Sequence, residues 1–185
     1  MYALHQRKTL KIHASETTDF NCKIWEACRA TSAASSFFDP ITIGPYDEQF
    51  VDGAIGRNNP VNVVLAEARD IWPNADQRIQ CLVSLGTGLP NVNQFGGNLV
   101  QVARTLADVA TETERTAEEF LRAHPDLKEQ KRYFRFNVQR GLQDIGLEEY
   151  KEIPRVAAAT SDYLESEGVR VEMEHCVNSL KRGRM

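Results

Sequence analysis

The chain lacks any window approaching the roughly 18 consecutive apolar residues that a membrane-spanning helix requires, and its opening Met-Tyr-Ala-Leu-His-Gln-Arg-Lys carries no long apolar run. The sequence therefore shows neither an export signal nor an anchor of its own, and a cytoplasmic location is expected. Close pairs of cysteine or histidine are missing too. Cys22, Cys28, Cys81 and Cys176 are widely spaced, as are His5, His13, His124 and His175. That spacing excludes a structural zinc motif, so free thiols in a reducing compartment and surface or capping histidines are expected. No metal or organic cofactor is implied. Basic residues are scattered except for Lys181, Arg182 and Arg184, in a chain of net charge -4, which argues against a nucleic-acid partner. Gly-x-Ser-x-Gly, the tight strand-to-helix elbow that exposes a nucleophilic serine, occurs nowhere in the 185 residues.

What is present fits one ordinary globular domain: 42% hydrophobic and 26% charged residues, enough apolar surface for a core. Residues 9–13 alternate polar and apolar side chains, predicting a strand, and residues 14–21 a loop. Ile24, Trp25, Ala27, Cys28, Ala30, Ala33 and Ala34 recur at helical spacing and predict a helix over 23–34. Pro40, Gly44 and Pro45 make residues 35–46 a loop whose Phe37, Phe38, Ile41 and Ile43 pack inward or line a cleft. A short strand over 49–51 leads to the Asp52-Gly53 turn. Asn59 is then expected to cap a helix with Pro60 at its first position and Val61, Val64, Leu65 and Ala68 on its buried stripe, stopped by Pro73.

Residues 79–85 form a compact apolar run, the pattern of a strand buried on both faces of a parallel sheet. A Gly/Asn-rich loop over 90–98 precedes a long amphipathic helix, from Leu99 through Val102, Leu106, Val109, Ala117 and Phe120 to Leu121, ended by His124-Pro125. Residues 133–138 alternate as a strand, followed by a loop over 141–146. Helical patterns resume over 148–167, interrupted near Pro154, and over 169–180. Strands separated by helices predict an α/β fold.

Asp52 is the residue that could carry chemistry. Asp-Gly after a strand is a common turn, since Asp bonds nearby backbone and Gly accepts positive φ, and on the dipeptide alone a structural turn is the simpler reading. Its place favours the functional one, because ligands of open α/β sheets bind outside the carboxyl ends of the strands. Other candidates are weaker. Ser84 lies between Val83 and Leu85, so a buried strand residue is expected rather than an exposed nucleophile. Ser32, Ser35 and Ser36 sit at a helix end, where capping or solvent exposure is the default. Gly86-Thr87-Gly88 could offer N–H groups to a phosphate, yet it lacks the later glycine and lysine of nucleotide loops. Arg29 suits a bond to a carboxylate or backbone oxygen beneath the site. The acidic run over 111–119 reads as the solvated face of the long helix.

Three segments in succession resemble the patatin-like phospholipase family of serine acyl hydrolases: residues 24–34, Ile-Trp-Glu-Ala-Cys-Arg-Ala-Thr-Ser-Ala-Ala; Phe50-Val51-Asp52-Gly53-Ala54 with Asn59-Pro60 beyond; and Val83-Ser84-Leu85-Gly86-Thr87-Gly88. Residues 133–138 and the Gly-Leu-Gln-Asp-Ile-Gly that follows shortly after add a weaker match. The resemblance spans residues 23–147, with a helical tail over 148–182. It implies an α/β fold of three-layer type, a mainly parallel central sheet flanked by helices, with residues 1–185 the C-terminal part of a single domain that is incomplete at its N-terminus. It also implies a Ser-Asp dyad hydrolysing acyl esters of phospholipids, galactolipids or acylglycerols, with transient membrane-surface contact. Asp52 takes the role of general base, with Gly53 and Ala54 completing its motif. A desolvating, lipid-binding cleft would raise the basicity of that carboxylate.

This sequence departs from the family pattern where the nucleophile should be, since the serine elbow and the Gly-rich oxyanion-hole loop both belong upstream of Met1. The 185 residues alone are expected to be catalytically silent and, with an open sheet edge, poorly soluble. The alternative is a non-catalytic truncation serving as an interaction or regulatory module.

Overall fold

The computed structural model describes residues 3–5, 8–9, 22–34, 37–53, 56–89, 100–143, 145–146 and 149–182, with backbone alone for 3–5, 8–9 and 100–111. These residues divide into two compact units, Met1–Asp76 and Gln77–Met185.

The first unit is built on a four-stranded sheet of order β2-β1-β4-β3, with β1 at Ala3–His5, β2 at Lys8–Thr9, β3 at Ile41–Ile43 and β4 at Glu48–Asp52. All its pairings are antiparallel. Of the strand expected over 9–13 only Thr9 is described, and the loop expected over 14–21 lies outside the described residues. The expected loop over 35–46 instead contains β3, which forms a hairpin with β4 in the register Ile41–Phe50, Thr42–Gln49 and Ile43–Glu48. Three residues between Pro40 and Gly44 are too short a run for alternation to register as a strand. The turn is tight, with Gly44 at φ 85° and Asp47 at φ 52°, left-handed conformations that Gly and Asp tolerate best.

Helix α1, Ile24–Ala30, is shorter than the periodicity over 23–34 predicts. The Glu26 carboxylate accepts the Lys23 N–H at 2.6 Å and closes its start. At its end the Thr31 and Ser32 hydroxyls donate back to the Cys28 carbonyl, at 3.1 and 2.9 Å. Such bonds satisfy carbonyls that a continuing helix would have used. The buried stripe also differs from the prediction: Ala30 and Ala33 are buried, whereas Ile24 and Trp25 are 84% and 59% exposed. Ala30, Ile43 and Phe50, with Cys22 and Ile41 against them, make the core of α1 and the hairpin. Helix α2, Val61–Ile71, buries Val61, Leu65 and Ala68, while Val64, expected on that stripe, is exposed. Its cap is Pro60, one residue later than expected, whose carbonyl accepts the Val64 N–H at 2.8 Å. The short α3, Ala75–Arg78, follows Pro73.

In the second unit β5, Leu82–Leu85, pairs in parallel with β6, Tyr133–Phe136, from Leu82–Tyr133 to Leu85–Phe136. A parallel pair needs a crossover, supplied here by α4, Val100–Ala123, and α5, Pro125–Glu129. Phe120, fully buried on α4, tilts against Tyr133 with ring centroids 4.9 Å apart. The expectation that β5 is buried on both faces is corrected: Ser84 is buried while Val83 and Leu85 are 41% and 73% exposed. Pro154 opens rather than interrupts a helix, for a 3-10 turn at Tyr150–Glu152 runs into α6, Ile153–Glu165, with Pro154 in its first turn. Its missing N–H costs nothing there. Helix α7, Glu167–Arg182, completes the unit. The α/β class, with a parallel sheet flanked by helices, is as the sequence implies. Among the described strands, parallel pairing is confined to β5 and β6.

Candidate functional site

Asp52 closes β4, opposite Ala3 of β1 in register. Its backbone N–H donates to the Ala33 carbonyl at 3.0 Å, which fastens this strand end to the segment that leaves α1. Its side chain is half-buried, and Gly53 after it is buried. Ala54, the third motif position, lies outside the described residues. The chain then passes Gly56 at φ 87°, a left-handed conformation that favours glycine. The buried Asn59 accepts the Val61 N–H on its Oδ1 at 3.4 Å, so its side chain serves one unpaired donor at the α2 start although Pro60 holds the cap position.

Arg29 meets the expectation of a bond to backbone oxygen. Its Nη2 donates to the Asp39 carbonyl at 2.7 Å, and its guanidinium lies 5.5 Å from the centre of the Phe38 ring. These contacts hold the segment that feeds β3, the neighbour of the Asp52 strand. Ser32 is spent on the α1 carbonyls, and Ser35 and Ser36 lie outside the described residues, as does His13. Of His5 only the backbone is described.

A separate polar cluster occupies the second unit. Ser84 is buried as expected, and its Oγ accepts Arg135 Nη1 at 3.0 Å. Arg135 Nη2 donates to Glu114 Oε1 at 2.7 Å, and Asn137 Nδ2 donates to the same oxygen at 2.9 Å. Asn137 Oδ1 in turn accepts the Gly88 N–H at 2.7 Å. The Gly86 N–H donates to the Phe136 carbonyl at 2.8 Å and the Leu89 N–H to that of Val138 at 3.2 Å. Three N–H groups of this turn are therefore committed to internal acceptors, which removes the phosphate cradle that Gly86-Thr87-Gly88 could have formed. Burial pushes the Tyr133 phenol beside this cluster above its ordinary value, with Ser84 and Arg135 acting in the opposite direction.

Glu114 shows that the acidic run over 111–119 is not simply solvated, though Arg115–Glu119 and Glu118–Arg122 are exposed i,i+4 pairs. A charged Arg135 inside an aromatic strand was the one sequence signal for this half-buried partner, since a cation there needs an anion. His124 packs its ring on Phe120, and His175 Nε2 contacts Lys131 Nζ at 2.6 Å. Sequence spacing also gave no hint that Cys81 and Cys176 come together, with sulfurs 3.8 Å apart. Among the described residues no group of three His, Cys, Asp or Glu side chains could hold a metal ion, and no helix is long and apolar enough to cross a membrane.

Residues 3–65, a span that includes Asp52, match the family model of the patatin-like phospholipases. The chain is 39% identical over 121 residues to phospholipase A I of Arabidopsis thaliana, covering 63% of this chain and 9% of that protein. Over 66 residues it is 42% identical to calcium-independent phospholipase A2-gamma of Rattus norvegicus, covering 36% of this chain and 8% of that one. A third relative, the probable inactive patatin-like protein 9 of Arabidopsis thaliana, is 39% identical over 93 residues, 45% of this chain and 24% of its own length. The chain thus spans less than a quarter of each of these relatives. No solved structure matches it significantly. Over residues 3–65, the span that holds Asp52, the chain is thus similar to the patatin-like phospholipases, and its relatives include proteins of that kind.

Proposed function

We propose that these residues are the C-terminal part of a patatin-like lipid acyl hydrolase domain in which Asp52 is the general base of a Ser-Asp dyad, the serine coming from outside the 185 residues. The observation that carries this reading is that the family match runs through a carboxylate at a strand end, followed by the Gly53 turn. Asp52 would take the serine proton as the serine oxygen attacks the ester carbonyl. The alcohol then leaves with a proton, and water, activated by the same carboxylate, hydrolyses the acyl-enzyme. A glycerophospholipid is the substrate class that the relatives' names favour; galactolipids and acylglycerols share the same ester. Exposed Trp25, Phe38 and Tyr46 in the Asp52 unit suit passing contact with a lipid surface. The free thiols suit a reducing, cytoplasmic setting.

Neither the serine elbow nor a Gly-rich oxyanion loop is among these residues. Each missing oxyanion donor is worth on the order of 3 kcal/mol in the transition state, so the 185 residues alone are catalytically silent in this reading. The test joins the chain to its in-frame upstream coding region and measures hydrolysis of a chromogenic fatty-acyl ester. Asp52→Asn should lower turnover by several orders of magnitude while leaving the fold intact, and a fully active variant would remove Asp52 from the mechanism. A second reading, a non-catalytic interaction module, is favoured by the similarity to a probable inactive patatin-like protein. An upstream region without Gly-x-Ser-x-Gly would select it.

A further inference from the structure

Cys81, at the entry to β5, and Cys176, on α7, are separated by 95 residues in sequence, yet their sulfurs lie 3.8 Å apart. Both are free thiols, Cys176 buried and Cys81 half-buried. A disulfide bond is about 2.05 Å long, so closure needs the sulfurs to approach by about 2 Å. The other attachments of α7 to the segment leading into β6 are polar: Ser179 Oγ donates to the Lys131 carbonyl at 2.7 Å, and Lys131 Nζ meets His175 Nε2 at 2.6 Å on the exposed side.

We propose that Cys81 and Cys176 form a redox pair, closed by a low-molecular-weight disulfide oxidant into an intramolecular disulfide that fastens α7 to the start of β5. The more exposed Cys81 is the sulfur that the oxidant reaches first. Its thiolate attacks the oxidant, forming a mixed disulfide and releasing one small thiol. Cys176, deprotonated in its turn, then displaces the second small thiol and forms the protein S–S bond. Two protein S–H bonds are lost, one protein S–S bond is made, and the oxidant's S–S bond is reduced to two thiols that carry the two protons. Burial, with the Cys176 hydrogen bond adding to it, pushes the Cys81 thiol up to about 12, so its attack on the oxidant is slow and closure needs sustained oxidising conditions. Closure would turn a helix held by polar and packing contacts into one tethered covalently across most of the second unit. The inference rests on that unit alone and stands or falls independently of the role of Asp52.

The test incubates the full reduced chain with millimolar oxidised glutathione, blocks remaining thiols with iodoacetamide, and maps peptides without reduction. The expected product is a peptide linking Cys81 to Cys176, two hydrogens lighter than the reduced pair, together with a rise of several degrees in Tm that dithiothreitol reverses. It should persist in Cys22→Ser/Cys28→Ser and vanish in Cys81→Ser. The ratio of linked peptide to glutathione-capped peptide should be at least tenfold higher in the native chain than in guanidinium chloride, because the second sulfur is already at hand, a comparison that needs no variant. Alkylation or glutathione capping of both sulfurs without the linked peptide, or equal ratios of linked to capped peptide in native and denatured chain, would overturn the proposal.

Discussion

The backbone N–H of Asp52 donates to the carbonyl of Ala33 across 3.0 Å, so the strand end that carries the proposed base is positioned by the segment leaving α1. Ala33 is 0% exposed, which leaves its methyl no space to grow. Ala33→Leu is expected to destabilise the chain by about 1–3 kcal/mol, the usual range for overpacking, and to speed hydrogen exchange of the Asp52 amide. Urea unfolding and exchange mass spectrometry read the two effects. An unchanged midpoint would mean that this junction is not close-packed.

Gly86 is held for space rather than for backbone conformation. A Cβ there would run into the Asn137 side-chain amide and come within 2.8 Å of Arg135 Nη2, disturbing the group that anchors Gly88. Gly86→Ala should therefore cost about 1–3 kcal/mol. Gly146→Ala is the control, since its nearest new contact is Glu149 at 3.9 Å, and it should be neutral or slightly stabilising. Denaturant midpoints for the two variants in the opposite order would refute the packing argument.

Among the described residues of the second unit, Arg135 and Glu114 form the ion pair most sensitive to truncation, with side chains only 11% and 36% exposed. Glu114→Ala strands the guanidinium and the Asn137 amide together, at a cost on the order of 3 kcal/mol. Glu114→Gln keeps an acceptor oxygen and should lose less. Glu118→Ala removes only the exposed partner of Arg122, with side chains 66% and 74% exposed, and should change stability by less than about 1 kcal/mol. Equal losses for Glu114→Ala and Glu118→Ala in guanidinium titrations would show that burial does not govern the difference.

Much of this architecture was legible because it follows from local pattern. The strand at Tyr133–Phe136, the helix at Val100–Ala123 and the end of α2 before Pro73 each follow from neighbours in sequence. Asp52 stood out for the same reason, as a carboxylate between a strand and a helix start. What escaped depends on distant partners. Ile41-Thr42-Ile43 becomes β3 only because Glu48, Gln49 and Phe50 lie alongside. Ser84 is buried with Arg135 of the neighbouring strand on its oxygen, while Val83 is exposed. The pairing of Cys81 with Cys176 joins residues 95 positions apart, a separation at which spacing carries no signal.

The same thiol pair makes stability depend on alkaline pH. Burial, then the Cys176 hydrogen bond and charge, raise the Cys81 thiol from 9.0 to about 12. The folded chain thus holds this proton more tightly than the unfolded one, where the thiol titrates near its ordinary value. An acid raised on folding contributes its full stability below the unfolded value and loses it as pH climbs toward the folded one. The window is therefore pH 9 to 12, and the sign is destabilising with rising pH. In reducing buffer the Tm of the native chain should fall more steeply between pH 9 and 11 than that of Cys81→Ala, while below pH 9 the two curves keep a constant offset. Thermal unfolding across that range measures it, and parallel curves up to pH 11 would show that the Cys81 environment does not disfavour its thiolate.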